Sequence, residues 1–326
     1  MSEHTLVDAV RLALACAMQE DDTVLVLGED VGVNGGVFRA TDGLQQRFGA
    51  ARVLDTPLSE ALLTGLAVGL GAQGMRPVVE FQFMGFMYPA LDQLANHASR
   101  LRNRTRGRLS CPIVLRAPYG GGIHAPEHHS ESFEAMLAHI PGLRVVIPSS
   151  PRRAYGLLLA AIRDPDPVVF LEPKRLYRAF KETLHDDAGA LPLDQCVTLR
   201  AGSDITLVSW GAMLHDTLAC ADALAARGVA AEVIDVSTLR PLDMPTIVAS
   251  VQRTGRCVIA QEAPKSGGFG AEIAAGLADE GLTALLAPVR RVAGYDTVMP
   301  LPRLEASYMP DVARILEAAS EVLDYT

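Results

Sequence analysis

LRVVIPSSPRRAYGLLLAAIRDPDPVVFLEP, residues 143–173, sets the fold. A short run of branched apolar residues leads to Ser150 and Pro151, then to a helical stretch closing at IRDPDP, then to a second apolar run. A serine oxygen can accept an orphan N–H at a helix start, and proline suits the first turn, where its missing donor costs nothing. The order strand, helix, strand follows. Val- and Ile-rich strands alternating with helices predict a mainly parallel sheet covered on both faces.

The same grammar extends outward. Residues 5–19 place Leu6, Val10, Leu14 and Ala17 on one helical stripe, and TVLVLGED reads as a buried strand. RVLDTP (strand), SEALLTGLAVGLGAQG (helix), PVVEFQF (strand), YPALDQLANHASRLR (helix) and CPIVLRAP (strand) continue it. From Glu172 to about Gln195 the chain becomes charged and aperiodic, and reads as a linker. A second series follows, with strands in DITLVSWG, AAEVIDV, RCVIAQEAP and VRRVAGYD and helices between them. The expected fold class is α/β with two doubly wound domains, residues 1–190 and 191–326.

Composition bounds the function. The 326 residues are 49% hydrophobic and 21% charged, enough for two α/β cores, and the formal net charge of −9 gives no basic surface for nucleic acid or an anionic membrane. The five arginines alternating through SRLRNRTRGRLS, residues 99–110, lack interleaved aromatics and read as a solvated helix end or a subunit contact. Five scattered cysteines without a C-x-x-C pair suggest neither disulfides nor a thiolate metal site. No secretory signal or membrane-length apolar run is evident, so a cytoplasmic location is expected. A P-loop, a Rossmann glycine fingerprint and a G-x-S-x-G elbow are all missing from the sequence.

Two stretches carry polar groups in unusual settings. In DTPLSEALLTGLAVGLGAQG, residues 55–74, Glu60 opens a helix that is apolar nearly all round. Such a helix implies burial, and a buried glutamate must be paired or protonated, which equips it to exchange a proton near neutral pH. GGGIHAPEHHSESFEAML, residues 120–137, gathers three histidines and three glutamates behind a triple glycine. Its spacing is not the H-E-x-x-H pair of a zinc helix.

The strings DTPLSE, PVVEFQFMGFMYPALDQ, APYGGGIHAPEHHSE, PGLRVVIPSSP, IRDPDPVVFLEPKRLYR and EVIDVSTLRPLD, in this order, resemble the beta subunit of thiamine diphosphate-dependent 2-oxo acid dehydrogenases, the decarboxylating component of the pyruvate and branched-chain complexes. The resemblance runs from about Leu6 to near the C-terminus. It implies a transketolase-like pyrimidine-binding domain followed by a transketolase C-terminal-like domain. It makes Glu60 the acid that hydrogen-bonds the aminopyrimidine of thiamine diphosphate, with Leu58, Gln82 and Phe86 bordering the ring. His129 matches the family's active-site histidine, while His124 and His128 match no fixed position. Glu29 matches, more weakly, an acid of the proton path between paired active sites.

Further expectations follow from the same resemblance. Potassium would be held by oxygens of Ile113, Ala161, Ile162, Asp164 and Asp166, where Asp166 replaces a common asparagine. There is no G-D-G with a downstream asparagine, so magnesium and the diphosphate would be held by an alpha subunit in an α2β2 assembly that feeds a lipoyl acyltransferase core. FLEPKRLYR, EAPKSGGFG and GYDT lean towards branched-chain substrates such as 3-methyl-2-oxobutanoate, and HAPEHHSE towards pyruvate. An acetoin-cleaving relative, half of a split transketolase and a non-catalytic scaffold for the acyltransferase core are the alternatives.

Overall fold

Thr5 starts the first long helix with a capping box: its hydroxyl accepts the Asp8 N–H while the Asp8 carboxylate takes the Thr5 N–H. The helix, Leu6–Glu20, packs against the helix Pro151–Arg163, which Ser150 caps as the sequence predicts by accepting the Arg153 N–H. The computed structural model describes residues 2–184 and 189–325. These form two compact units, one running to Tyr119 with Met136–Leu193, the other Gly120–Ala135 with Asp194–Thr326.

In the first unit six strands pair in parallel, in the order Arg144–Val146, Val168–Pro173, Val114–Tyr119, Arg76–Glu80, Val24–Gly28, Val53–Asp55. Strands Val24–Gly28, Val114–Tyr119 and Val168–Pro173 are buried along their whole length, as expected of a sheet covered on both faces. The helix Glu60–Ala72 packs on the strand Arg76–Glu80. In the second unit the order is Arg290–Gly294, Cys257–Pro264, Ile205–Ser209, Ala231–Asp235, Val197–Arg200, the last strand antiparallel. Its core joins Ile205, Leu207, Val233 and Val258 to Cys220 and Leu224 of the helix Met213–Ala225 and to Ile315, Ala319 and Val322 of the terminal helix Val312–Leu323. The chain is thus α/β, with two doubly wound halves.

Three local expectations change. The stretch YPALDQLANHASRLR is not one helix but a chain of short turns: 3-10 at Met84–Ala90, α at Leu91–Asn96, 3-10 at Ala98–Arg100, α at Leu101–Arg104. The Ala95 carbonyl accepts from Ser99 Oγ and Arg100 Nε, so side chains compete with the helical ladder there. The supposed linker is partly built in: Glu172, Lys174, Leu176 and Tyr177 are buried, and Glu182–Leu184 pairs antiparallel with Ser2–His4. Residues 185–188 of that stretch lie outside the described residues. The Glu60–Ala72 helix buries only Leu63, Thr64, Ala67 and Gly71, leaving Leu62 and Leu66 exposed.

Candidate active site

Strands of an open parallel sheet gather ligand-binding residues at their carboxyl ends. The strand Val24–Gly28 runs into Glu29, and its neighbour Val53–Asp55 runs into Thr56 and then Glu60. Asp55 fixes the segment after Glu29 by accepting the Gly32 N–H at 2.6 Å and the Val33 N–H at 3.1 Å. The Thr56 N–H in turn donates to the Gly28 carbonyl at 3.0 Å. Among the described residues, Glu29 Oε1 and Thr56 Oγ1 are buried without a hydrogen-bond partner. Burial, then the negative charges of Glu60 and Asp30, push the Glu29 carboxyl above its ordinary value.

Glu60 is therefore brought beside Glu29, but it is half-exposed rather than buried. The reason is the apolar helix itself. Its outer face, Leu62 and Leu66, and the preceding Leu58 at 77% exposed are left uncovered among the described residues. Gln82 and Phe86, both half-buried, follow the strand Arg76–Glu80. Phe86 meets Phe83 edge to face at 5.6 Å, and Phe83 meets Phe38 at 5.5 Å, so an aromatic cluster fixes the residues next to Gln82.

Beneath these side chains lies a buried ionic network that the sequence reading did not single out. Arg116, 1% exposed, is held by Glu172 in a fork, Nε to Oε1 at 2.6 Å and Nη2 to Oε2 at 3.1 Å, and by Glu80 Oε2 at 2.8 Å. Tyr177 Oη donates to Glu172 Oε2 at 2.7 Å. Burial raises the Glu80 carboxyl, with Arg116 opposing. Gly36, at φ +79°, lies so close to this group that a Cβ would come within 2.5 Å of Glu80 Oε1. A signal was present, since three apolar strands each carry one charge near their carboxyl end: PVVE, IVLR and VVFLE.

Of the residues expected to hold potassium, Ala161, Ile162, Asp164 and Asp166 lie at or just beyond the C-terminal end of the helix Pro151–Arg163, and Ile113 precedes the strand Val114–Tyr119. Arginines already converge on them. Arg76 Nη1 donates to Ile162 O at 2.8 Å and to Asp164 O at 3.2 Å, Arg144 pairs with Asp164 and Arg102 with Asp166. Ile113 O accepts the Val168 N–H and Ala161 O the Asp164 N–H. Each carbonyl has two lone pairs, so these oxygens suit a hard cation only if it shares them with Arg76. Among the described residues no group of three or more His, Cys, Asp or Glu side chains could hold a metal.

In the second unit the histidine loop is closed at its neck by the Gly120 N–H donating to Glu131 O at 3.0 Å. His129 is half-buried on a 3-10 turn, Glu127–Ser130. Its Nδ1 lies 3.1 Å from the Pro126 carbonyl, which can only accept, so Nδ1 carries a hydrogen and Nε2 holds the lone pair of the neutral ring. His124 and His128 pair with the carboxylates of Glu305 and Glu131. The loop ends in Glu134, fully buried, whose Oε1 accepts from Trp210 Nε1 at 3.3 Å. Burial pushes this carboxyl up to about 7.

Comparison with known proteins agrees over the whole chain. Residues 2–179 match the family model of the transketolase pyrimidine-binding domain, and residues 194–315 that of the transketolase C-terminal domain. The pyruvate dehydrogenase E1 component subunit beta of Bacillus subtilis is 47% identical over 325 residues, covering 100% of both chains. Its counterparts in Staphylococcus epidermidis and Staphylococcus aureus are 46% and 44% identical at the same coverage. Among solved structures, an inactive beta4 tetramer of a split-gene transketolase superposes with a TM-score of 0.82 over 99% of each chain, and at 24% identity it shows the fold alone. The chain belongs to the family of 2-oxo acid dehydrogenase E1 component beta subunits, built from a transketolase pyrimidine-binding domain and a transketolase C-terminal domain.

Proposed function

We propose that this chain is the catalytic beta subunit of an α2β2 enzyme that oxidatively decarboxylates a 2-oxo acid and passes the acyl group to a lipoyl carrier in the cytoplasm. Residues 1–190 serve as the pyrimidine-binding domain and 191–326 as the C-terminal domain. The observation that carries the reading is that Glu60 lies close enough for its charge to act on Glu29, both on segments that leave the carboxyl ends of adjacent parallel strands. Glu29 Oε1 and Thr56 Oγ1, buried without partners in the same place, fit a polar heterocycle. Bound there, thiamine diphosphate supplies the electron sink for the carbanion that decarboxylation leaves.

The roles of this chain's residues follow. Glu60 holds and releases a proton at the aminopyrimidine nitrogen, and its negative charge, after burial, helps to raise the carboxyl of Glu29. Phe86 offers a ring face, Gln82 a polar edge and Leu58 an apolar one. His129, with Nδ1–H fixed on Pro126 O, presents Nε2 as the nitrogen that takes up or releases a proton during acyl transfer. The exposed leucines 58, 62 and 66 support a contact with the alpha subunit, which would bring magnesium and the diphosphate contacts. Potassium on the oxygens of Ile113, Ala161, Ile162, Asp164 and Asp166 is part of the proposal.

Pyruvate is the substrate that the full-length relatives favour, while FLEPKRLYR, EAPKSGGFG and GYDT favour a branched-chain acid. Decarboxylation assays with pyruvate and 3-methyl-2-oxobutanoate, after co-expression with candidate alpha subunits, decide between them. Failure of both, with every alpha partner that assembles, overturns the reading.

A further inference from the structure

The histidine loop keeps an expensive backbone. His124 at φ +60° and Glu127 at φ +44° occupy the left-handed region without being glycine, a strain that persists only where surrounding contacts over-determine it. One side chain makes several of these contacts. Glu305, 2% exposed on the helix Pro302–Tyr308, accepts the Gly122 N–H at 2.8 Å through Oε1 and the His124 N–H at 3.0 Å through Oε2. The same Oε2 lies 2.6 Å from His124 Nδ1. Glu262 adds one weaker bond, from the Gly121 N–H at 3.3 Å. At Gly121 there is no room for a side chain, since a Cβ would meet Met299 Cε at 2.7 Å and Met309 Sδ at 2.9 Å.

We infer that Glu305 is the positioning residue of the histidine loop, setting the ring of His129 by clamping the backbone at Gly122 and His124. The linkage is short. His124 is two residues from Pro126, whose carbonyl accepts both the His129 N–H at 3.0 Å and the His129 Nδ1–H. Ser130 Oγ closes the other side on Ala125 O at 2.6 Å. A carboxylate receiving two backbone N–H groups in a buried place forms the stronger, charge-assisted class of hydrogen bond. Glutamine at this position keeps the shape but brings an NH₂ group against a backbone N–H.

This role rests on the reading of His129 as the proton carrier of acyl transfer, and the test separates the two. In the assembled enzyme, Glu305→Gln is measured by amide exchange at Gly122 and His124, by 2-oxo acid-dependent reduction of an electron-accepting dye, and by reductive acylation of a lipoyl domain. Exchange should accelerate and kcat for acylation should fall, each by about tenfold or more, as expected for losing a charged hydrogen bond, while KM and dye reduction stay within about twofold. Unchanged exchange or unchanged acylation overturns the inference. Should Glu305→Gln not fold, His124→Pro on the exposed loop removes one clamped N–H and forbids the positive φ, and the same outcomes apply with exchange read at Gly122 alone. Independently, wild-type acylation in His129→Ala would sink the reading of His129, whatever the exchange at Gly122 shows.

Discussion

Glu134 offers a titration that reports on itself. It is fully buried, Oε1 accepts from Trp210 Nε1, Oε2 has no partner among the described residues, and Glu262 adds a second negative charge nearby. Burial, the largest cause, pushes its carboxyl from 4.5 up to about 7. At about 1.4 kcal/mol per pH unit, ionising it in the fold costs about 3 kcal/mol more than in the unfolded chain. Below pH 4.5 both states are protonated and nothing is lost. As pH rises through 7 the folded state holds a proton that the unfolded state has released, so stability falls and then levels off. Glu134→Gln keeps the acceptor for Trp210 and does not titrate. Its stability advantage over the parent, from urea unfolding, should therefore grow by about 2 to 3 kcal/mol between pH 5 and pH 8. Trp210 is the chain's one tryptophan, so its emission should titrate with a midpoint near 7 in the parent and lose that step in the variant. A pH-independent advantage, or a step that survives in the variant, refutes the reasoning.

Other perturbations follow from the same geometry. Arg116→Met leaves Glu80 and Glu172 buried without their shared cation and should cost about 3 to 5 kcal/mol in the unfolding free energy; a loss under about 1 kcal/mol would mean that the network is not holding the strand ends together. Leu62→Asp should change the thermal stability of the isolated chain little, because that side chain is 54% exposed, yet abolish co-purification with the alpha subunit; retained assembly would place the contact elsewhere. For the cation site, 100 mM potassium in place of choline should stabilise the chain by about 2 to 3 kcal/mol if dissociation is near 1 mM. An identical melting curve in the two salts would mean that Arg76 alone serves those carbonyls.

The alternation of strands and helices was legible because the buried strands are rich in branched apolar residues, and helices such as Leu6–Glu20 and Pro151–Arg163 carry a start signal in Thr5 or Ser150. The terminal helix Val312–Leu323 carried a readable signal too, since Ile315, Ala318, Ala319 and Val322 repeat at helical spacing. Pairing of Ser2–His4 with Glu182–Leu184 was not legible, as two three-residue strands so far apart leave no periodic trace. At the site, the sequence put Glu60 at the start of an apolar helix, where the structure also has it, but its cover was misjudged: apolarity all round a helix does not say that its own chain buries both faces. Glu305 escaped because, besides the His124 ring, its partners are backbone N–H groups, which any sequence supplies.

The most direct test of the central claim is steady-state turnover of the α2β2 enzyme carrying Glu60→Gln. Glutamine preserves size and the apolar contacts around the helix start, so gel filtration should show the intact heterotetramer, while decarboxylation falls by at least about 10² because the side chain can no longer give and take a proton. An intact assembly that turns over at the parent rate would contradict the account.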